Sequence, residues 1–150
     1  MKKVLPAVLI LCLFCAFMAG CGNSPETRGG SKPDGGTVDL TVLSETMLSA
    51  EIYNIASSPK DYVGKTVKIR GAYFVSFYEE TGLYYHYIIT KYGDSCCQEG
   101  LEFIWNGDRE YPGDYPEERE TVEATGVYGS YEELGRTYYY LAVDELIVKE

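Results

Sequence analysis

The chain has 150 residues and a formal net charge of −10, from 23 acidic against 13 basic side chains. That length fits one domain and is too short for two, and a surface of that sign repels phosphate backbones, which excludes non-specific nucleic-acid binding. A hydrophobic content of 45% excludes a wholly disordered chain.

The chain opens on a basic Met1-Lys2-Lys3, followed by 16 residues, Val4 to Ala19, without a charge. This run is shorter than the roughly 20 residues of a permanent membrane span, and its positive end fits a secretory signal. The run ends in Met18-Ala19-Gly20-Cys21, which resembles the lipobox of bacterial lipoproteins. The resemblance implies a signal peptide over 1–20, cleavage before Cys21, and a diacylglycerol thioether on the Cys21 sulfur. Acyl chains contribute about 0.8 kcal/mol per buried CH₂, so two or three of them anchor a protein firmly. The competing readings are an ordinary signal peptide that leaves Cys21 as a free thiol and an uncleaved anchor helix. Cys12 and Cys15 lie within the leader. Residues 22–36 hold no large apolar side chain and are rich in Gly, Ser and Pro, the composition of a flexible tether. The expected layout is a signal peptide at 1–20, a lipid-anchored linker at 21–40 and a folded domain at 41–150.

Leu48, Ile52 and Ile55 recur at helical spacing, with Ala56 on the same side, and predict a short amphipathic helix over 45–56. Ser44 stands as its N-cap and Glu45 in its first turn suits the helix dipole. From Thr66 the period changes to two. Val67 and Ile69 fall on one face, Lys68 and Arg70 on the other. Gly71 predicts a bulge or bend before Ala72 to Tyr78 continues the strand. Leu83 to Thr90, Leu101 to Trp105, Thr121 to Tyr128 and Thr137 to Val148 read as four further strands. The acidic, Pro- and Gly-containing stretch from Asn106 to Glu118 reads as an irregular solvated connection. Five strands without helix–strand alternation predict a mainly β fold, a small barrel preceded by one helix.

Tyr62-Val63-Gly64-Lys65-Thr66-Val67-Lys68-Ile69-Arg70-Gly71 resembles the opening of OB-fold domains in bacterial secreted and membrane proteins. Glu123 to Tyr128, with Tyr139-Tyr140-Leu141, resembles their fourth and fifth strands. Cys96-Cys97-Gln98-Glu99-Gly100-Leu101-Glu102-Phe103 resembles a paired-Cys motif of uncharacterised lipoprotein-like OB domains. The resemblance spans roughly residues 50–148. It implies a five-stranded OB-like barrel and carries no activity with it, since a fold does not fix a function.

Two groups of residues stand out as candidate sites. Cys96-Cys97 reads as buried thiols, a structural disulfide, a redox pair, or soft ligands for Cu or Zn with His86 as a third group. The lone His86, flanked by Tyr85 and Tyr87, also reads as a hydrogen-bonded strand residue. The chain has 15 tyrosines, and Tyr84, Tyr85, Tyr87, Tyr138, Tyr139 and Tyr140 form two dense runs. Neighbours alternate faces on a strand, so some of these rings face outward as a platform for a sugar, peptide or protein. Phosphate-binding loops and nucleophile elbows are absent from the sequence. The sequence therefore predicts a non-enzymatic binding or accessory module without a cofactor. It is expected on the outer face of the cell membrane, held by its lipid, with a protein or glycan partner; a metal-handling or thiol-redox lipoprotein is the alternative.

Overall fold

The structure is a computed structural model, and it describes residues 36–91 and 98–149. The expected signal peptide, Cys21, most of the expected linker and the Cys96-Cys97 pair lie outside the described residues.

The described chain holds six strands and one α-helix, with short 3-10 turns at Leu40–Val42 and Pro59–Asp61: β1 (Thr37–Asp39), α1 (Glu45–Ser57), β2 (Thr66–Tyr78), β3 (Leu83–Lys91), β4 (Glu99–Trp105), β5 (Thr121–Glu133) and β6 (Arg136–Val148). The fold is mainly β, as expected. The strands form one mixed sheet in the order β1-β2-β3-β4-β6-β5, and β5 also pairs with β2. Five strands therefore close a ring, with β1 added in parallel to the outside edge of the pairing. β4 and β6 run parallel, Phe103 beside Leu141. The other ring pairs are antiparallel.

The alternation in β2 is realised as the sequence predicts. Val67 and Ile69 are fully buried, while Lys68 and Arg70 point away and meet Glu123 of β5. Glu123 is buried against three cations, the third being Lys149. The Arg70 hydrogen bond, more than any other contact, holds its carboxyl below the usual range.

Of the bulge or bend expected at Gly71, the register shows no bulge: the strand pairs continuously through it, and β2 changes partner next to it. Ala72 faces Thr121 of β5 and Ile89 of β3. A Cβ on Gly71 would lie 2.4 Å from the Ile89 carbonyl oxygen, so the glycine permits close backbone approach at the crossover. Gly126, at a register shift between β5 and β6, is tighter still: its Cβ would lie 2.1 Å from the Ala142 oxygen. Gly126→Ala is expected to destabilise the fold by about 1–3 kcal/mol or more, as overpacking does, read as a lower urea midpoint. An unchanged midpoint would contradict the ring's closure at this seam.

Three further differences concern the edges of the elements. Residues 37–40, expected as the end of the linker, belong to the fold: β1 pairs with β2, and Leu40 is only 2% exposed. β5 does not stop at Tyr128 but continues through Gly129 to Glu133, because the Tyr140 ring covers the bare glycine, as close as 3.2 Å to where its Cβ would stand. In α1, Ile52 and Ile55 are buried as expected, but Ala56 is exposed. Ser44 occupies the cap position without a side-chain capping bond.

A single buried cluster joins Leu40, Ile52 and Ile55 to the inward residues of the ring, among them Ile69, Tyr73, Ile88, Phe103, Leu141 and Val143. Tyr62 ties the helix down by donating its hydroxyl to Glu51 at 2.8 Å.

Between β5 and β6 the chain turns on Leu134 and Gly135, with φ of +48° and +75°. Positive φ at both central residues is the hairpin geometry that favours Asn-Gly. Leu134 is 60% exposed, so its side chain gains little there. Leu134→Asn is expected to stabilise the fold by about 1 kcal/mol, the scale of the left-handed penalty for an ordinary side chain. A thermal melt reads this as a higher midpoint, and a lower one would contradict the turn geometry.

Candidate functional site

The tyrosine runs divide by face. Tyr85 and Tyr87 project opposite to His86 and Ile88 on β3, because successive side chains alternate. Glu102 does the same between Leu101 and Phe103 on β4. Cross-strand register then brings this outward set together: Tyr87 faces Glu102, and Ser76 faces Tyr85. From the other side, the β5–β6 hairpin contributes Tyr131, paired with Tyr138.

The result is a cleft of about 230 Å³ lined by Ser76, Tyr78, Tyr85, Tyr87, Glu102, Tyr131, Glu133 and Tyr138. The β2–β3 hairpin with β4 forms one wall and the β5–β6 hairpin the other, and hydrogen bonds tie the walls across it. Tyr85 donates to Glu133 at 2.7 Å, and Tyr131 donates to Glu102 at 2.8 Å. Tyr131 stacks on Tyr138 at a centroid distance of 5.5 Å, and Tyr78 meets Tyr85 edge-on at 6.5 Å. Burial raises the hydroxyl pKa values of Tyr85, Tyr87 and Tyr131, so these hydroxyls stay protonated, and those of Tyr85 and Tyr131 donate. Burial, opposed by the Tyr131 bond and reinforced by Glu133, raises that of Glu102. An adjoining hollow of about 430 Å³ shares Tyr85, Glu102, Tyr131 and Glu133 and reaches His86, Phe103 and Tyr115.

Of the six tyrosines singled out in the sequence, Tyr85, Tyr87 and Tyr138 line this cleft, and Tyr140 touches its Tyr131 wall at 5.7 Å. Tyr139 lies on the opposite face, stacked on core residue Tyr128. Tyr84 lies on the His86 side of β3 and packs between Phe77 and Tyr111, centroids 5.0 and 4.6 Å away. Sequence reasoning missed Tyr78, Tyr131, Glu102 and Glu133. Their strand parity was readable, but their convergence depends on pairings between strands distant in sequence.

His86 is 8% exposed and held by aromatic groups. Its Nδ1 lies 2.8 Å from the Tyr73 hydroxyl, and its ring stacks on Tyr115 at 4.0 Å. Burial pushes its pKa down to about 4. Tyr115 and Tyr111 come from the connection between β4 and β5. The acidic side chains of that connection are exposed, as expected, but the two rings are half-buried against His86. Arg109 lies over the Trp105 ring at 4.5 Å.

His86 pairs with Phe103 in the middle of its strands. It is therefore about 13–16 Å along the strands from Lys91 and Glu99, where residues 92–98 connect. Among the described residues, no group of three or more His, Cys, Asp or Glu side chains could hold a metal ion. No helix among them is long and apolar enough to cross a membrane. No family model matches the chain, and no curated protein matches its sequence.

Proposed function

We propose that this chain is a lipid-anchored, extracytoplasmic binding module of the OB type. It uses the Tyr-rich cleft between its two hairpins to hold a protein, peptide or glycan, and it performs no covalent chemistry. The observation that carries this reading is the convergence of five tyrosines and two glutamates from all five ring strands on one open cleft. The ring order, with its parallel β4–β6 pair, supports an OB-like barrel. In that architecture the second and third barrel strands, flanked by two hairpin loops, form the ligand face. Here those strands are β3 and β4, which supply Tyr85, Tyr87 and Glu102. The ring edges and hydroxyls suit ligands with an apolar face and a polar rim.

Anchoring through Cys21 rests on the lipobox-like Met18-Ala19-Gly20-Cys21 and on the uncharged run before it. In cells fed a labelled palmitate analogue, the label is expected on the intact chain and lost with Cys21→Ala. Label that persists in that variant would remove the anchor at Cys21.

The cleft is tested by titrating the isotope-labelled full chain in micelles with soluble peptides and oligosaccharides. Amide shifts are expected at Tyr85, Tyr87, Glu102 and Tyr138, and Tyr85→Ala/Tyr138→Ala is expected to weaken binding at least tenfold. Binding unaffected by the double variant would locate the ligand elsewhere and overturn the reading.

A metal-handling role for Cys96 and Cys97 is the second reading. One observation favours it: Glu99 Oε2, close in sequence to the pair, is buried without a hydrogen-bond partner among the described residues, and buried carboxylate oxygens ordinarily have one. His86 adds little to it, since Tyr73 occupies its Nδ1. Stoichiometric Cu(I) or Zn uptake that disappears in Cys96→Ser/Cys97→Ser would support this reading, and uptake independent of both would remove it.

A further inference from the structure

The cleft combines two carboxylates with aromatic walls, and its lining holds no basic side chain. Glu102 and Glu133 repel each other, and Glu133 adds to the rise in the Glu102 pKa. The ion pairs among the described residues all converge on Glu123, on another part of the sheet. Each cleft carboxylate instead accepts one tyrosine hydroxyl. Arg136 stands opposite Glu133 in the β5–β6 register without an ion pair to it among the described residues, and it acts on the Tyr78 hydroxyl at the rim, where Glu80 acts more strongly in the opposite sense; Glu102 has no cation acting on it. A half-buried carboxylate without a counter-charge costs stability. A cation entering the cleft removes that cost and gains the faces of the surrounding rings.

We propose that the cleft takes the ammonium or guanidinium group of a Lys or Arg side chain in a basic peptide segment, with Glu102 and Glu133 as counter-charges and Tyr85, Tyr131 and Tyr138 as walls. This inference rests on the binding-module reading and names the ligand class for the same cleft. Size favours a peptide over a free amine. At about 230 Å³ the cleft is smaller than the roughly 300–1,000 Å³ of sites that enclose a whole small molecule. It suits one side chain, while the adjoining hollow of about 430 Å³, which shares both glutamates, accommodates the residues next to it. The chain's net charge of −10 steers a basic partner toward it.

Three probes test this on the full chain in micelles: tetralysine, tetra(Nε-acetyllysine) and chitotetraose. Amide shifts are the readout. Tetralysine is expected to move Tyr85, Glu102, Tyr131 and Tyr138, and to bind at least tenfold tighter than its acetylated form. Glu102→Gln/Glu133→Gln is expected to abolish that preference. Glu102→Gln alone is expected to raise the thermal midpoint near neutral pH while weakening tetralysine, a combination that misfolding would not produce. If the acetylated peptide or chitotetraose shifts the cleft as strongly as tetralysine, the cation is not the determinant and this inference fails while the binding module stands. If tetralysine moves only the acidic connection at 108–120, the attraction is a general surface effect and the inference fails. If no probe moves the cleft, both readings fall.

Discussion

Phe103→Ala is expected to cost about 3–5 kcal/mol, the range for removing a buried aromatic ring. Phe103 is 1% exposed and sits where the ring closes, on the parallel pair of β4 with Leu141 of β6. Its ring meets Tyr73 at 6.1 Å and His86 at 6.0 Å. Truncation therefore opens a cavity between β2, β3 and β4 together. Backbone hydrogen bonds hold all three strands in the ring, so they cannot collapse into the gap without losing register. Urea denaturation should show a lower midpoint at an unchanged slope, the mark of lost stability without a changed unfolded state. A loss below about 1 kcal/mol would mean that Phe103 is not enclosed as the closed ring requires.

Acid should weaken the fold through His86. Its folded pKa of about 4 lies below the ordinary value of 6.5, because burial among Tyr73, Phe103, Tyr111 and Tyr115 disfavours the cation. The unfolded chain thus binds the imidazole proton more readily than the folded one. The stabilisation is fully present above about pH 6.5 and is lost progressively as the pH falls toward 4, by up to about 3 kcal/mol. Glu123 adds an acid-labile contribution of its own, since its carboxyl is held low by Arg70 and must be protonated at low pH. The His86→Phe variant separates the two. It keeps a ring against Tyr115, and its stability should change much less than the wild type's between pH 6.5 and 4. An equal slope in both proteins would assign the acid sensitivity entirely to carboxylates.

Where one face of a strand is buried and the other wet, its sequence shows it. Thr66 to Arg70 is such a strand, and Val67, Ile69, Lys68 and Arg70 each took the expected side. β1 lacked that signal: three residues are too few for a period, and its place is set by parallel pairing to β2. Glycines misled for a related reason. Gly71 read as a bulge or bend and Gly129 as a strand end, because a missing side chain looks the same whether the chain bends or another group needs the space. At both positions the other group, the Ile89 backbone or the Tyr140 ring, lies on a different strand.

The site was legible to a similar degree. Tyr85, Tyr87 and Tyr138 were visible as members of dense aromatic runs. Parity alone separates Tyr139 from Tyr138, but it does not say which of the two faces is the core. Glu102 was hidden by its apolar neighbours Leu101 and Phe103, although the alternation that buries them is what turns it outward. Tyr131 and Glu133 lay beyond the apparent end of their strand. Tyr111 and Tyr115 belong to a stretch without period, where the exposed acids were readable and the inward rings were not.

The cleft is expected to meet its ligand where the protein works. A photoreactive benzoylphenylalanine placed at Tyr138, inside the cleft, is compared with one at Tyr53, which is 72% exposed on α1. Irradiation of cells that make the protein should yield a discrete adduct from position 138, competed by tetralysine, and none from position 53. Adducts of equal yield from both positions, or none from position 138, would contradict it.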